Sequence, residues 1–371
     1  MKYALIIKYL LLTISLSTIS CTFDTSSIKT SPIVISTNLT KQVYENLAYS
    51  NQKITFLSAG NLLAIADSSD VLIINLKDNS VVNKLKTSDS MITSSFASKN
   101  GDQFFLSTDM SAQIWDTKSW KLLKQFNAKQ LSKLSGISPK DDILYFDASL
   151  WSLDTHERVK TIGEELDPGS YDFSSDSQYF MTSEHRFGVV ITHINDKSDG
   201  TTTNRINSVD KTKFRTDNNY YASYDAKFIV EQGGYRARTF GLFDIKNNNL
   251  IKSYAPDSRI TCWTVDDNNG VLISLFNGDV ALLNNKLDIT HKWHIDNGHI
   301  VTCEKGKNND IWLGSINTGL FKADLTSNKL TKTYQTDNMI TDLEISTDNK
   351  KLGVVEAITG GSIVKVFELK R

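Results

Sequence analysis

The chain has 371 residues, a formal net charge of −1 and 40% hydrophobic residues, including 17 Phe, 13 Tyr and 6 Trp. This composition is ample for a packed core, and it excludes nucleic acid as a partner because no basic face is available. Only four prolines, with many Asn, Asp, Ser and Gly residues, are typical of short strands joined by tight turns.

Residues 1–21 are predicted to be a signal peptide. Lys2 and Lys8 give a positive start, and the apolar run Tyr9–Ile19 is too short to span a bilayer. The run ends in Thr18-Ile19-Ser20-Cys21, which resembles a bacterial lipobox. This resemblance implies that a lipid such as palmitate is attached to Cys21. Thr22, in place of Asp, implies sorting to the periplasmic side of the outer membrane rather than to the inner membrane. The alternative is a plainly cleaved signal peptide and an exposed thiol.

Residues 22–32 are polar, rich in Ser and Thr and without periodicity, which predicts a flexible tether. Ile33–Ser36 follows as a short apolar strand with no partner of its own nearby. We therefore expect the folded domain to occupy residues 33–371.

A strand that ends in Trp115-Asp116 recurs along this domain, and the other copies are less similar in sequence. The equivalents of Trp115 are Ile74, Leu153, Ile194, Phe243, Leu283, Ala323 and Phe367. Successive markers are 38 to 49 residues apart, which is the period of four-stranded propeller blades. The spacing predicts an all-β propeller of antiparallel blades.

A second recurring feature is a turn that begins with serine, in the inner hairpin of each repeat. The turns begin at Ser98, Ser138, Ser174, Ser223 and Ser346. Ser, Asp, Asn and Gly in these turns provide side-chain hydrogen bonds and tolerate positive φ.

The segment Phe96–Phe126 resembles a WD-repeat blade, and Phe173–Asn195 and Ala222–Asp244 resemble looser copies. Ile300–Asp324 is similar to the propeller repeats of bacterial sensor proteins. A WD repeat normally carries a Gly-His pair that is hydrogen-bonded toward the Asp and Trp, and only Gly298-His299 matches it.

The eight markers predict eight four-stranded blades. The last repeat stops at Leu369, so its outer strand is missing unless Ile33–Ser36 supplies it. Pairing of the two termini in one sheet would close the ring and remove two free edges.

No pattern in the chain indicates catalysis, a cofactor or a metal. The histidines are scattered, at His156, His185, His193, His291, His294 and His299. None of them has a metal-binding spacing. Asp266–Gly270 resembles a calcium loop in composition, but it lacks the bidentate Glu and falls where a hairpin turn is due. Trp115, Trp151, Trp263 and Trp312 are expected to pack between blades.

Cys262 and Cys303 are predicted to occupy equivalent positions in consecutive repeats. With Cys21 modified, two cysteines remain in an oxidising compartment, where pairing is expected. The spread of neighbouring inner strands opposes a bond, because a disulfide requires Cα atoms within about 7 Å. The sequence is compatible with a disulfide and with two buried free thiols.

Extra length falls in the fourth and fifth repeats. The distance from the turn serine to the strand marker is 20 residues in both repeats, whereas it is 15 to 17 residues in the second and third repeats. In a propeller these loops emerge on one face, so the additions predict a raised partner-binding patch. Its candidate residues are His185, Arg186, Phe187, Tyr235, Arg236 and Arg238. Arg and aromatic residues are favoured at interface centres. Simple drift in loop length is the alternative.

These features together predict a lipid-anchored, monomeric propeller that acts as a non-enzymatic protein-binding scaffold. In architecture it is similar to the propeller lipoprotein of the β-barrel assembly machinery, which implies a role in envelope assembly. The alternative is a propeller enzyme or small-ligand-binding protein with a site at the central channel, which would need side chains from several blades to meet on the axis.

Overall fold

Short antiparallel strands form the described part of the chain. The computed structural model describes residues 33–37, 53–67, 69–87, 91–127, 135–162, 168–184, 188–193, 209–217, 219–224, 239–246, 249–307, 309–359 and 361–369. In these residues no helix has the length and apolar character needed to cross a membrane. The predicted signal peptide and tether, residues 1–32, lie outside them.

Blades are numbered here in chain order, and each four-stranded blade is one sheet. Strand β1 is Ile33–Thr37. Blade 1 contains β2 Lys53–Leu57, β3 Leu62–Asp67, β4 Asp70–Asn75 and β5 Val81–Lys86. Blade 2 contains β6 Ile92–Ala97, β7 Gln103–Thr108, β8 Ser111–Asp116 and β9 Leu122–Asn127. Blade 3 contains β10 Ser135–Ile137, β11 Ile143–Phe146, β12 Ser149–Ser152 and β13 Arg158–Thr161.

A three-stranded sheet follows, with β14 Pro168–Phe173, β15 Tyr179–Glu184 and β16 Gly188–His193. Blade 4 contains β17 Val209–Phe214, β18 Asn219–Tyr224, β19 Thr239–Asp244 and β20 Leu250–Tyr254. Blade 5 contains β21 Ile260–Val265, β22 Val271–Leu275, β23 Asp279–Leu283 and β24 Ile289–His294.

Two blades complete the chain. Blade 6 contains β25 Ile300–Lys305, β26 Asp310–Ser315, β27 Leu320–Asp324 and β28 Lys329–Tyr334. Blade 7 contains β29 Met339–Ile345, β30 Lys351–Ile358 and β31 Gly361–Glu368, with β1 as its outer strand.

The prediction of eight four-stranded blades is wrong. In the described ranges seven sheets have four strands, and the sheet Pro168–His193 has three. The marker period counts repeats, but it does not show whether each repeat has an outer strand. The residues between His193 and Val209 lie outside the described ranges.

The predicted partner of the N-terminal strand is confirmed. Strand β1 pairs antiparallel with β31, with Ile33 opposite Val366 and Thr37 opposite Ser362. Blade 7 therefore combines both ends of the described chain in one sheet.

The sheets form a ring because each neighbouring pair shares a buried apolar cluster. The clusters run from blade 1 and blade 2 around to blade 7 and back to blade 1. Strand β7 shows why the second strands are apolar throughout: Phe104 packs toward blade 1, and Phe105 packs toward blade 3. Alternate side chains of a strand point to opposite faces, so a strand between two blades needs apolar residues at every position. The four tryptophans expected between blades are confirmed there.

The turn serines are confirmed at four of the five predicted places. Ser98, Ser138, Ser174 and Ser346 are all buried, and each accepts a backbone N–H from the start of the second strand at 2.9–3.0 Å. Ser223 is the exception, because it lies inside β18 opposite Phe240. The inner hairpin of blade 4 turns instead between Phe214 and Asn219.

The ring has two faces. The turn face carries the connections from first to second strand and from third to fourth strand. The loop face carries the connections from second to third strand and from each outer strand to the next blade. The sequence predicts the partner-binding patch on the loop face.

Candidate functional site

The turn face is occupied by hydrogen bonds between neighbouring blades. The backbone N–H of Lys99 donates to Asp141 Oδ2 at 2.7 Å, that of Thr216 to Asn269 Oδ1 at 3.1 Å, and that of Lys307 to Asn349 Oδ1 at 2.9 Å. The three acceptors have positive φ, between 55° and 61°. Asn and Asp suit such positions because they tolerate left-handed backbone and carry an acceptor. These turns connect the blades to one another.

The segment that resembles a calcium loop is one of these turns. Asp266 Oδ1 accepts the backbone N–H groups of Asn268 and Gly270, both at 2.7 Å. The interpretation of Asp266–Gly270 as a hairpin turn is confirmed. Among the described residues, no group of three or more His, Cys, Asp or Glu side chains is placed to hold a metal ion.

An exposed aromatic side chain marks the loop face of blade 5. Phe276 follows β22 and is 41% exposed. The His299 ring stacks on it, with centroids 4.5 Å apart and planes 15° apart, and the guanidinium of Arg259 lies 4.3 Å from the Phe276 centroid. We call these three residues the Phe276 stack. Arg259 and His299 come from the two connections that flank blade 5.

Backbone contacts hold the Phe276 stack in place. The N–H of Phe276 donates to the carbonyl oxygen of Arg259 at 2.8 Å, and the N–H of Ile316 donates to the carbonyl oxygen of His299 at 2.9 Å. The His299 ring Nδ1–H donates to the carbonyl oxygen of Phe276. These bonds connect the backbone of Phe276 to both residues that contact its ring.

The Gly298-His299 pair departs from the WD-repeat pattern in its contacts. His299 bonds to a backbone carbonyl, and Asp279 of blade 5 bonds to Lys292 and His294 of that blade. Lys292 lies 2.9 Å and His294 Nδ1 2.8 Å from the Asp279 carboxylate. Partial burial opposes ionisation of Asp279, but the hydrogen bonds from Lys292 and His294 outweigh it and hold its pKa below the ordinary value. The pair thus supports the Phe276 stack and not a WD-type network.

A buried ion pair lies near the loop face of blade 7. Glu356 is fully buried, and Lys365 Nζ is 2.9 Å from its Oε1 atom. Thr336 and Asn338 donate to Glu356 Oε2 at 3.0 and 2.9 Å. The Lys365 ammonium also bonds to the hydroxyl of Tyr334. Both carboxylate oxygens have donors, so this network fixes the connection between blades 6 and 7 rather than presenting a reactive group.

The inner strands place acidic side chains of two blades near one another. Burial raises the pKa of Glu344 well above its ordinary value, Glu304 and Asp342 raise it further, and Lys53 lowers it. Lys53 is 3.5 Å from Asp342. These groups come from the first strands of blades 6, 7 and 1. Burial, together with the nearby carboxylates, explains the raised pKa of Glu344 without a ligand.

The six candidate residues of the partner-binding patch lie outside the described residues. Their flanking strands are described: residues 185–187 connect β15 to β16, and residues 225–238 connect β18 to β19. Each of the two ranges stands between a second and a third strand. Since Ser223 lies within β18, the extra length in blade 4 falls entirely in residues 225–238.

In the structure Cys262 and Cys303 form a disulfide, with Cα atoms 6.1 Å apart. The expectation that they occupy the same place in their blades is wrong. Cys262 pairs with Ser274 directly after a bulge, and the equivalent residue after the bulge of β25 is Thr302, opposite Gly314. Cys303 is one residue further along.

The offset of one residue is what allows the bond. Successive side chains of a strand point to opposite faces. Cys262 faces blade 6, Cys303 faces back toward blade 5, and both belong to the apolar cluster between these blades. Cysteines in the same register would have pointed in the same direction around the ring.

Comparison with known proteins supports the architecture. No protein family and no curated protein matches the chain. Among solved structures, the C-terminal WD40 domain of Sif2 is similar with a TM-score of 0.67 and 14% identity, over 88% of this chain and 98% of that one. The computationally designed Ika8 protein is similar with a TM-score of 0.67 and 13% identity, over the same shares of the two chains. At this identity they show a WD40-type propeller fold alone.

Proposed function

We propose that this propeller is a non-enzymatic scaffold that binds a protein partner through its loop face. WD40 propellers commonly bind protein partners. The observation that carries the proposal is the Phe276 stack, a fixed and half-exposed aromatic ring with an arginine beside it.

The chemistry of the Phe276 stack is that of an interface centre. Aromatic residues and Arg dominate the binding energy of protein interfaces, and a ring that is already ordered loses little entropy when a partner covers it. Exposing such a ring to water is unfavourable, so burial under a partner is a gain. Phe276 follows β22 and lies outside the strands of blade 5.

The proposed surface includes the six candidate residues that were predicted from the sequence. They are His185, Arg186, Phe187, Tyr235, Arg236 and Arg238, which all lie outside the described residues. Their aromatic and basic character matches that of the Phe276 stack. In this proposal they bind the same partner as the Phe276 stack.

The cellular setting of the proposal comes from the N-terminal sequence. A signal peptide over residues 1–21, lipid on Cys21 and a tether over residues 22–32 would hold a monomeric propeller on the periplasmic side of the outer membrane. A scaffold in this position would serve envelope assembly, by analogy of architecture with the propeller lipoprotein of the β-barrel assembly machinery.

Site-specific crosslinking in cells tests the binding face. A photoreactive amino acid at Asn277, exposed beside Phe276, should capture a partner that mass spectrometry identifies. The same group at Lys118, whose side chain is 78% exposed on the turn face, should not. Phe276→Ala combined with Arg259→Ala should weaken capture about tenfold or more, because truncation of one strong interface residue costs about 1.4 kcal/mol or more.

The control for this pair of substitutions is Ile251→Ala, which removes an exposed side chain (54%) from an outer strand. It should leave capture unchanged. Undiminished capture by a folded Phe276→Ala, Arg259→Ala chain would place the site elsewhere. A triple variant, Phe187→Ala, Tyr235→Ala and Arg236→Ala, tests the loop extension in the same assay.

The lipid anchor has its own test. Radiolabelled palmitate should enter the wild-type chain and not Cys21→Ala, and the wild type should fractionate with the outer membrane. Label in neither chain would remove the anchor from the proposal and leave the binding face to be judged by crosslinking.

A further inference from the structure

The direction of β1 shows where the N-terminal segment joins the ring. Strand β31 runs from Gly361 on the loop face to Glu368 on the turn face, and β1 is antiparallel to it. Ile33, opposite Val366, is therefore near the turn-face end of the outer strand, whereas Thr37 is near the loop face. A tether that precedes Ile33 leaves the ring at the turn-face rim of blade 7.

The turn-face ends of the outer strands expose aliphatic side chains. Eight of the twelve large hydrophobic residues that are exposed in the described part of the chain lie in outer strands. Five of them form an arc over blades 1 to 3, which follow blade 7 around the ring. This anchor-side rim consists of Val81 (59% exposed), Val82 (44%), Leu122 (42%), Leu123 (47%) and Val159 (51%).

Packing within the propeller does not account for these residues. In β5 and β9 the fifth residue is the buried one, Leu85 and Phe126, and the first two residues are exposed. The first two positions are Val-Val and Leu-Leu, and both residues of each pair are exposed. Adjacent exposed aliphatic pairs on neighbouring blades indicate a surface that something apolar covers.

The anchor determines what is near this rim. The tether between Cys21 and Ile33 has 11 residues, and a flexible chain of that length spans roughly 18 Å. A lipid on Cys21 would therefore keep the turn-face edge of blades 7 and 1 within a short distance of the bilayer. The loop face, with the Phe276 stack, is at the other end of the strands.

We propose that the anchor-side rim rests on the lipid surface and so points the loop face away from the membrane. This proposal rests on the lipid anchor of the proposed function. The contact is apolar at the five exposed aliphatic positions, and Lys118 on the turn face is paired with Asp102 at 3.0 Å. Apolar contact is little affected by salt, unlike attraction of a polybasic patch to anionic lipid.

Depth-dependent fluorescence quenching tests the contact. The full acylated chain is placed on vesicles of phosphatidylethanolamine with a minority of phosphatidylglycerol, both with brominated acyl chains. A fluorophore is attached at Leu122→Cys, at Ile251→Cys or at Met110→Cys. Ile251 is the matched control, since it occupies the same kind of position in the outer strand of blade 4, on the other side of the ring. Met110 is exposed on the loop face of blade 2. The wild type provides the blank for labelling of native cysteines.

Quenching at position 122 should exceed that at positions 251 and 110 at least twofold and should persist in high salt. Equal quenching at the three positions of an acylated, vesicle-bound chain would overturn the proposal and leave the anchor standing. A chain that carries no acyl group and does not float with vesicles would overturn both. Dimerisation on the vesicles with no quenching at 122 would show a second copy on the rim, and that too would overturn lipid contact.

Discussion

The serines of the inner hairpins show how one side chain holds a propeller turn. Ser346 is 1% exposed; its hydroxyl donates to Asp348 Oδ1 at 2.7 Å and accepts the N–H of Lys351 at 2.9 Å. The same arrangement occurs at Ser98 and Ser174. An N–H that loses a buried acceptor costs free energy because water cannot replace it.

Ser346→Ala is therefore expected to lower the free energy of unfolding by about 1–3 kcal/mol. Ser80→Ala is the control, since Ser80 donates to Asp78 at 2.7 Å in an exposed turn. Its effect should stay within about 0.5 kcal/mol. Urea titrations of both variants measure the difference, and equal effects would show that burial of the serine is irrelevant.

Glu344 predicts a pH dependence of stability. Its raised pKa means that the folded chain holds the proton more tightly than the unfolded chain, whose Glu titrates near the ordinary value of 4.5. Stability is therefore lost as pH rises from about 4.5 through the raised pKa, and the full penalty is present above it.

Glu344→Gln should raise the melting temperature at pH 7 and change it much less at pH 4, where the wild-type carboxyl is mostly protonated in both states. Glu157→Gln, in an exposed turn, is the control in the same pair of melts. A Glu344→Gln melting temperature that is equal to the wild type at pH 7 would contradict the assignment.

At the scale of the strand, the bulges near the start of first strands decide which way side chains point. Bulges occur in β6, β14, β17, β21, β25 and β29. Thr93, Thr261 and Thr341, at the bulged positions, donate to carbonyl oxygens of the second strand at 3.2–3.4 Å. The bulge sets the alternation of faces for the rest of the strand, and so the direction of Cys262 and Cys303.

The disulfide between β21 and β25 is expected to stabilise the ring. It spans 41 residues, for which the chain-entropy estimate is about 4 kcal/mol, and measured values are commonly about 2–4 kcal/mol. Replacing both cysteines by serine should lower the free energy of unfolding by that amount.

Thiol labelling of the denatured, unreduced protein checks the bond itself. No reactive thiol should come from Cys262 or Cys303 before reduction, and two should appear after it. Two reactive groups before reduction would show buried free thiols instead.

At the scale of the whole molecule, closure makes the two ends of the described chain interdependent. Blades 7 and 1 share an apolar cluster that includes Val364, Val366, Ile54 and Leu63. Strand β1 covers the edge of the strand that carries Val364 and Val366. A ring in which every blade packs on two neighbours is expected to unfold as one unit, because loss of one interface exposes the next.

Deleting residues 33–37 should therefore lower the melting temperature of the whole domain in a single transition. Removing five residues from the 22–32 tether is the matched control and should not change the melt. A separate low-temperature transition, with the main one unchanged, would show that blade 7 merely frays.

The repeating unit could be predicted from the sequence because its causes are local. Short stretches of sequence show each of these causes. They are the apolar strands at a period near 40, the serine turns with Asn or Asp, and the last repeat without an outer strand. The prediction of a turn at Ser223 was wrong, because the sequence alone does not distinguish a serine in a strand from a serine in a turn. One feature of the sequence indicates the Phe276 stack. The connection Phe276-Asn277-Gly278 begins with a phenylalanine, where polar residues are usual.

The sequence by itself determined the propeller class, the position of most strands and the pairing of Ile33–Ser36 with the last repeat. Only the tertiary structure decided the three-stranded sheet, the opposed directions of Cys262 and Cys303, and the meeting of Arg259, Phe276 and His299. These depend on contacts between segments distant in the chain and on single-residue shifts of register. A shift of one residue leaves composition and periodicity almost unchanged but turns every side chain to the opposite face.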